Sequence, residues 1–310
     1  MLLISSPRFQ EHTTPPGHPE RPERAAVFDQ VAAAWRDAGG RVAEPRAATR
    51  AELLRVHGEG HVAAIEATHG RAAMLDADTF TSPESYQVAL LAAGAAVQAA
   101  EHAMDTGETA FALVRPPGHH AERDTAMGFC LFNNVAVAAA AAIARGLSRV
   151  AVVDIDVHHG NGTQWMFYAD PSVLYVSTHQ SPFYPGTGAA SDTGRGAGEG
   201  FTCNLPLPAG ATDADYAAAY RTIAGVLERF APELLLISAG FDAHADDPLA
   251  SMRMSAAGYA AVVESLAVTA ARVGCPIALV TEGGYDLDAL RACLDATLEV
   301  LGPPSAEPGI

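Results

Sequence analysis

Short apolar runs alternate along the chain with longer alanine-rich segments. The runs predict strands at residues 111–114, 149–155, 173–178, 234–238 and 277–281. The segments between and beyond them predict helices near 84–104, 133–145, 213–230, 255–273 and 286–301. Strands that alternate with helices usually form parallel sheets whose faces the helices cover. We therefore predict an α/β fold with a mostly parallel sheet flanked by helices.

Three long irregular segments interrupt this pattern, at residues 12–24, 115–132 and 180–200. Irregular segments of this length inside a compact domain are usually functional. No linker and no repeat divides the chain, so we expect residues 1–310 to form a single domain. In an open parallel sheet, ligands bind beyond the carboxyl ends of the strands. The residues that follow each predicted strand should therefore form the site.

The charge balance argues against one large class of function. Among 310 residues, 36 are acidic and 19 are Lys or Arg, which gives a formal net charge of −17. So acidic a chain is not expected to bind nucleic acid directly. The hydrophobic share of 49% is that of a globular protein. The longest apolar run, residues 135–144, is about half of the ~20 residues that a membrane span needs, so no membrane association is expected.

Cysteine usage is typical of a reducing compartment. Cys130, Cys203, Cys275 and Cys293 form no C-x-x-C pair and are too few for a disulfide scaffold. The N-terminus also has no basic region followed by a long apolar stretch. We therefore expect a cytoplasmic protein without a thiolate metal site. The oligomeric state stays open, and a homo-oligomer is compatible with the sequence.

The first group of candidate metal ligands follows the strand predicted at 149–155. Asp154, Asp156 and His158 are spaced by two, which places them on one face of an extended strand. Two carboxylates in so apolar a setting need a cationic partner, and a divalent metal is the simplest one. The alternative is a solvated strand end with a hydrogen-bonded aspartate. Three polar residues in register favour the metal.

Asp242 follows the strand predicted at 234–238 and is a candidate third ligand, although taken alone it is equally typical of a helix cap or a turn. Oxygen and nitrogen donors of this kind suit zinc, iron(II), cobalt or manganese. Three protein ligands leave a coordination position for water and substrate. The pattern therefore favours a catalytic metal.

Two further segments carry groups that can transfer or donate protons. His119 and His120 follow the strand predicted at 111–114, where adjacent imidazoles can be ligands or an acid and a base. Tyr285 follows the strand predicted at 277–281, behind two glycines that let the backbone approach a ligand. Its hydroxyl is suited to stabilising an oxyanion.

Together these segments resemble the histone deacetylase family of metal-dependent amidohydrolases, from about Pro15 to about Leu301. The ordered motifs are Arg-Pro-Pro-Gly-His-His from Arg115, Gly-Phe-Cys from Gly128, Asp-x-Asp-x-His-His-Gly-Asn-Gly from Asp154, Pro-Gly-Thr-Gly from Pro185, Ala-Gly-Phe-Asp from Ala239 and Glu-Gly-Gly-Tyr from Glu282. The resemblance implies the arginase/deacetylase-like fold, with the active site at the carboxyl ends of the strands. It also implies hydrolysis of N-acyl, chiefly N-acetyl, amides of lysine side chains or related amines.

The resemblance implies one catalytic zinc ion per chain, bound by Asp156, His158 and Asp242. Family members also carry structural monovalent cations, commonly potassium. One such ion would lie near Asp154, Asp156, His158, Ser177 and Thr178.

The same resemblance assigns catalytic roles. His119 and His120 match the paired imidazoles of the family, with His120 as the general base, and Tyr285 would bind the substrate carbonyl oxygen. Asp154 matches the carboxylate that orients the first histidine. Asn161 stands where some subclasses have an aspartate behind the second, which points to the class II-like and bacterial branch.

The resemblance further implies a tunnel for the acyl-lysine side chain. Phe129 and Tyr184 match its aromatic walls, Gly128 its backbone lining, and Leu249 a residue at its mouth. Asp78 matches a rim carboxylate that holds the substrate backbone. Arg24 matches a basic residue deep in the fold.

Three alternative functions fit part of this pattern. A binuclear manganese ureohydrolase would use segments like Asp242-Ala243-His244-Ala245-Asp246, but the tandem histidines and Tyr285 belong to the deacetylase pattern. A catalytically silent acyl-lysine binding protein would more commonly have lost one of the matched residues. An acetylpolyamine amidohydrolase often has an acidic gate at the tunnel mouth, where this chain has Leu249. The leucine favours acyl-lysine or less charged amides.

Overall fold

An eight-stranded sheet forms the centre of the computed structural model, which describes residues 1–302. Its strand order is β2-β1-β5-β10-β9-β6-β7-β8, and every neighbouring pair is parallel. The strands are β1 Leu2–Ile4, β2 Arg41–Ala43, β5 Ala110–Ala112, β6 Val150–Asp154, β7 Val173–Gln180, β8 Thr202–Leu207, β9 Leu234–Ala239 and β10 Ile277–Thr281. A separate antiparallel pair consists of β3 Ala73–Met74 and β4 Phe80–Thr81.

Helices cover both faces of this sheet. The α-helices of the described residues are α1 Glu23–Asp37, α2 Arg50–Leu53, α3 Glu59–Glu66, α4 Ser85–Thr106, α5 Asn134–Ala144, α6 Asn161–Phe167, α7 Asp213–Phe230, α8 Ala256–Val273 and α9 Leu287–Leu301. Several begin at side-chain caps, as α5 does at Asn133, whose side chain accepts a hydrogen bond from the Ala136 N–H. These caps satisfy backbone donors that the first helical turn leaves free.

Alternation along the strands divides the core into two layers. In β6, Val150 and Val152 face a layer formed with α4 and α5, whereas Ala151 and Val153 face a layer formed with α1, α7, α8 and α9. All four side chains are fully buried. A strand buried on both faces reads as a continuous apolar run, which is why these central strands were predictable.

The predicted fold class is confirmed: the chain forms a parallel sheet flanked by helices. The five predicted strands correspond to β5, β6, β7, β9 and β10. No predicted strand end differs from the observed end by more than two residues. Strands β1, β2 and β8 and helices α1, α2, α3 and α6 were not predicted, and α1 begins inside the segment expected to be irregular at 12–24. The extent of the domain to residue 310 stays a prediction, because residues 303–310 lie outside the described part.

Helix α8 has an unusually apolar composition. Among the described residues it is the one helix of at least 18 residues that is apolar enough to cross a membrane, with a mean hydropathy of 1.2. Tyr259, Val263 and Leu266 on this helix are buried in the second core layer, and Val268 is exposed. Packing in this core layer, beside α7 and α9, therefore buries one side of the helix.

The strand order brings the predicted chemical groups to one edge. Strands β5, β10, β9 and β6 are consecutive in the middle of the sheet. Their carboxyl ends therefore lie side by side, because all four run in the same direction. The loops that follow these strands carry every motif on which a catalytic role was predicted.

Candidate active site

Asp156 and His158 lie in the loop directly after β6. The strand ends at Asp154, so the expectation that all three residues share one strand face is wrong. Instead, the Asp156 N–H donates to Asp154 Oδ1 at 3.2 Å, and the His158 N–H donates to Asp156 Oδ1 at 2.9 Å. These short turns bring Asp156 and His158 together, while Asp154 binds a different partner.

Asp242 reaches the same point from the loop after β9. Its Oδ1 accepts a hydrogen bond from the Val157 N–H at 2.8 Å, which fixes the carboxylate against the β6 loop. Asp156, His158 and Asp242 each offer one ligand atom, and these atoms lie within 4.8 Å of one another. The three predicted metal ligands therefore converge, and all are buried.

The charges of this cluster favour a cation. His158 Nδ1 lies 3.1 Å from both Asp156 Oδ1 and Asp242 Oδ2. Burial and the neighbouring Asp156 raise the pKa of Asp242 to about 7. Burial alone would lower the pKa of His158, but hydrogen bonds with the two carboxylates raise it to about 10. Two buried carboxylates and one imidazole match the donor set of a divalent transition metal.

Two glycines let the carboxylates approach so closely. A methyl group on Gly240 would overlap the Asp156 carboxylate, and one on Gly283 would overlap that of Asp242. The Gly283 N–H also donates to Asp156 Oδ2 at 2.8 Å. The glycine in each motif is therefore required by the geometry of the cluster.

The tandem histidines lie beside this cluster on the loop after β5. Their ring centroids are 4.0 Å apart, and both side chains are buried. His119 Nδ1 is 3.0 Å from Asp154 Oδ2, and His120 Nδ1 is 2.8 Å from Asn161 Oδ1. Each histidine thus has the partner that was predicted for it.

The two imidazoles differ in their affinity for a proton. Burial alone would lower the pKa of both rings. The charges of Asp156 and Asp154 overcome this effect at His119 and hold its pKa well above the usual range. At His120, burial and the neighbouring His119 and His158 hold the pKa well below it. One ring is therefore set to carry a proton and the other to accept one.

Tyr285 lies between an aromatic ring and a buried guanidinium. Its ring centroid is 5.8 Å from that of Phe129 in an edge-to-face contact, and the Arg24 guanidinium carbon lies 4.9 Å from its centroid. Burial, together with the charges of Asp242 and Asp156, outweighs Arg24 and raises the pKa of the Tyr285 phenol well above its usual value. The hydroxyl therefore stays protonated and can donate a hydrogen bond.

Arg24 belongs to a buried ion network that the sequence did not reveal. Glu20 Oε1 accepts from Arg24 Nη1 at 3.1 Å and from Arg115 Nε at 2.7 Å, and its Oε2 accepts from Arg115 Nη2 at 2.8 Å. Arg24 Nε in turn donates to the Gly284 carbonyl at 2.7 Å. All three charged side chains are fully buried. The network ties the 12–24 segment to the loops after β5 and β10.

Glu282 and Asp247 support the site and were also missed. Glu282 Oε2 accepts from the Gly118 N–H at 2.6 Å and from the His119 N–H at 3.1 Å, so it holds the histidine loop. Asp247 Oδ2 accepts from the Tyr285 N–H at 2.6 Å. Glu282 stood inside a quoted motif without an assigned role. Its position directly after a buried strand was the available signal.

Two of the predicted tunnel residues, Gly128 and Tyr184, lie against His120. Gly128 has a φ of 56°, and a methyl group there would overlap the His120 ring. The Tyr184 ring meets His120 edge to face at 5.2 Å and is 39% exposed. Phe183, which was not predicted, stacks on His158 at 5.3 Å. The adjacent aromatic residues before Pro185 were the signal that could have found it.

Leu249 and Asp78 were predicted to lie at the rim of the tunnel. Leu249 lines a cavity of about 440 Å³ together with Tyr285 and His18. The Asp78 carbonyl is 3.0 Å from His18 Nε2, and the His18 ring packs on Phe129 at 4.7 Å. Leu249 thus shares a cavity with Tyr285, and the Asp78 backbone meets the histidine that packs on Phe129, while the roles of both residues toward substrate stay predictions.

The residues of the predicted potassium site are adjacent, but their side chains have protein partners. Asp154 pairs with Ser177 across β6 and β7. Ser177 Oγ is 2.9 Å from His179 Nδ1, and Thr178 Oγ1 is 3.2 Å from the Tyr220 hydroxyl. The monovalent cation site stays a prediction.

His244 and Asp246 lie apart from the ligand cluster. Within residues 1–302, Asp156, His158 and Asp242 form the one group of His, Cys, Asp or Glu residues whose three ligand atoms lie within 4.8 Å of one another. His244 Nδ1 is 3.7 Å from the exposed Asp246. This arrangement offers one metal site and does not favour the binuclear alternative.

Known proteins are similar to this chain in sequence and in fold. The chain is 39% identical over 293 residues to a probable deacetylase of Archaeoglobus fulgidus. This alignment covers 92% of this chain and 81% of the relative. It is 41% identical to a probable deacetylase of Methanothermobacter thermautotrophicus, over 99% of this chain and 92% of the relative. It is also 41% identical to Histone deacetylase 15 of Arabidopsis thaliana, over 97% of this chain but only 55% of that protein. The chain thus spans about half the length of this plant relative.

A solved structure agrees with the sequence comparisons. The crystal structure of the HDA15 HD domain matches with a TM-score of 0.91 and 38% identity, covering 97% of this chain and 87% of that one. Residues 18–301 match the histone deacetylase domain family. The chain therefore belongs to the histone deacetylase family.

Proposed function

We propose that this protein is a zinc-dependent amidohydrolase that removes acyl groups, chiefly acetyl, from lysine side chains or related amines. Family membership supports hydrolysis of acetyl amides. The observation that carries the finer proposal is the convergence of Asp156, His158 and Asp242 beside two histidines with opposite proton affinities.

The ligand cluster fits one zinc ion. Asp156, His158 and Asp242 would hold it, and three protein ligands leave a position for water and substrate. When bound, zinc polarises the amide carbonyl and lowers the pKa of water. The described residues supply no thiolate to the cluster, so iron(II) or cobalt are competing ions that metal analysis must separate.

Different side chains around the ligand cluster carry out the individual proton transfers and hydrogen bonds of the reaction. His120, held neutral, takes a proton from water as the water oxygen attacks the carbonyl carbon. Tyr285 donates a hydrogen bond to the carbonyl oxygen as that atom gains negative charge. His119, held protonated, gives a proton to the amine nitrogen as the carbon–nitrogen bond breaks. The products are a carboxylate and a free amine.

The tunnel walls support an extended acylated side chain as substrate. The Tyr184 ring packs edge to face on His120, and the Phe129 ring packs edge to face on Tyr285. Such walls suit the apolar methylene chain of an acyl-lysine or an acylated amine. The net charge of −17 favours cationic partners through long-range attraction, which includes both lysine-rich proteins and polyamines.

The proposal is tested by the activity of the zinc-loaded protein on acetyl-lysine peptides, longer acyl-lysines and acetylpolyamines. We expect acetate release that a chelator abolishes and that zinc restores. Tyr285→Phe should lower kcat by about 10²–10³-fold, as the loss of one oxyanion donor does, with little change in KM. Tyr184→Phe, which keeps the ring of an aromatic wall, is the matched control.

Two outcomes would replace this proposal. If the metal-loaded protein turns over no member of the panel but binds acetyl-lysine peptides, a catalytically silent binding protein is the better description. If two manganese ions per chain are needed for activity, the ureohydrolase-like alternative returns.

A further inference from the structure

A chain of hydrogen bonds runs from His120 to a carboxylate near the surface. His120 Nδ1 is 2.8 Å from Asn161 Oδ1, and Asn161 Nδ2 donates to Glu122 Oε1 at 2.7 Å. Glu122 is half-buried and lines a surface cavity of about 520 Å³ with Asp124 and Trp165. No role in the reaction has been assigned to Glu122 so far.

Glu122 determines which way the Asn161 amide points. The two ends of an amide have almost the same shape, but one end accepts hydrogen bonds and the other donates them. A carboxylate only accepts, so it selects the Nδ2 end of Asn161. The other neighbours of Nδ2 hold the amide less firmly: the His120 carbonyl is a distant acceptor at 3.4 Å, and Met127 Sδ, also at 3.4 Å, is a weak one.

The amide orientation in turn determines the tautomer of His120. With Nδ2 bound to Glu122, Asn161 presents only its Oδ1 to the ring, so His120 Nδ1 must carry the hydrogen. The lone pair of the neutral ring is then on Nε2. No protein group among residues 1–302 forms a hydrogen bond with that Nε2, so it is free to act on substrate water. In a flipped amide, Nδ2 of Asn161 would donate to His120 Nδ1, and the hydrogen of the neutral ring would be on Nε2. Nε2 could then not accept a proton from water.

His119 needs no such third residue. Its Nδ1 contacts the Asp154 carboxylate directly at 3.0 Å, and a carboxylate accepts a hydrogen bond from either oxygen. Only the histidine that is backed by an amide depends on a further group to orient its partner. This difference between the two rings singles out Glu122 rather than the other acidic residues nearby.

We propose that Glu122 is a positioning residue: it orients Asn161 and thereby holds His120 in the Nδ1–H tautomer that can act as a base. The inference rests on the proposed role of His120 as general base. Glu122 touches neither the ligand cluster nor the substrate, and it acts through Asn161 alone.

A double-mutant cycle tests this role. Glu122→Ala should lower kcat about 10- to 100-fold with KM nearly unchanged, the range found for residues that orient a catalytic group. In the Asn161→Asp background, Glu122→Ala should change kcat less than twofold, because a carboxylate behind His120 accepts without being oriented. Asp124→Ala, which removes a carboxylate from the same surface cavity, should leave kcat unchanged.

The same fall in both backgrounds would show that Glu122 supports the loop rather than the amide and would overturn the inference. An unchanged kcat when Glu122→Ala is made in the parent protein, which has Asn161, would overturn the inference as well. Thermal unfolding of each variant identifies any loss that comes from misfolding.

Nitrogen NMR of the histidine rings in the zinc-loaded protein tests the tautomer without any turnover. In the parent protein we expect His120 to carry a hydrogen on Nδ1 and none on Nε2. In Glu122→Ala we expect a mixture of the two tautomers. A hydrogen on Nε2 in the parent, or the same tautomer in both proteins, would contradict the inference. Because this readout does not need activity, its failure is distinct from a failure of the proposed function.

Discussion

His119 and His120 are adjacent in the chain, yet their ring nitrogens meet different partners. Asp154 lies behind the first ring and Asn161 behind the second. A carboxylate stabilises an imidazolium more than an amide does, so the two rings hold protons with different affinity. An acid and a base can thus operate within 4.0 Å of each other.

We expect Leu249 to influence which acylated amine the protein favours as substrate. Leu249→Glu should raise kcat/KM for acetylpolyamines relative to acetyl-lysine peptides by about 1.4- to 5-fold, because an exposed ion pair contributes about 0.2–1 kcal/mol. Leu249→Gln has a similar size without the charge and should not change the ratio. The ratio is measured by competition between the two substrates. Equal ratios for the Glu variant and the parent would show that Leu249 does not face the substrate.

At the scale of single residues, the sequence predicted the candidate metal ligands better than the buried acidic residues that hold the surrounding loops in place. Asp156, His158 and Asp242 were recognisable because each follows a buried strand. Glu282 accepts a hydrogen bond from Gly118, and Glu20 pairs with Arg115, partners that lie 164 and 95 positions away in the chain. Pairing across such distances depends on the fold, so spacing alone could not indicate it.

At the scale of elements, close packing fixes the position of helix α4. Its Gly94 faces the backbone of residues 46–48, and a methyl group there would overlap the Arg46 carbonyl. The Ala48 N–H also donates to the Leu90 carbonyl of α4 at 2.8 Å. The segment before α2 therefore lies directly on the helix.

Gly94→Ala should destabilise the protein by about 1–3 kcal/mol, the usual cost of overfilling a packed contact. Gly60→Ala in α3 is the control, because nothing lies within 4 Å of a methyl group at that position. It should be neutral or stabilising by up to about 1 kcal/mol, as expected for alanine in place of glycine in a helix. Urea unfolding measures both free energies. Equal stability of the two variants would contradict this packing.

The strands that sequence patterns missed are short or lie at the edge of the sheet. Strands β1 and β2 have three residues each, too few to show a period. Strand β8 pairs only with β7 and contains Pro206, which an edge strand tolerates but a central strand does not. Central strands are buried on both faces and were therefore predictable as apolar runs.

At the scale of the whole molecule, one buried network joins three loops that are distant in sequence. Glu20 is its centre, with Arg24 and Arg115 as cationic partners and His12 Nε2 at 3.3 Å. Burial alone would raise the pKa of Glu20, but the charge of Arg115 and hydrogen bonds from His12 and Arg115 hold it well below 4.5. The fold therefore depends on the charge of Glu20.

Glu20→Gln should cost about 3–5 kcal/mol of stability at neutral pH, since it leaves buried cations without their partner. The depressed pKa means that the stabilisation is complete above the ordinary carboxyl pKa and is lost as the pH falls below it, from about pH 5 downward. Unfolding free energies should thus converge for parent and variant in acid. The exposed Glu264→Gln is the control, with no change expected. Parallel pH curves for parent and Glu20→Gln would contradict this assignment.

Zinc titration of the metal-free protein tests the central claim most directly. The account predicts that the rate of acetate release from an acetyl-lysine peptide rises in proportion to added zinc and reaches a plateau at one ion per chain. Asp242→Asn, which weakens one ligand, should need a higher zinc concentration to reach its plateau. Saturation at two ions per chain, or a rate that does not depend on the metal, would contradict the account.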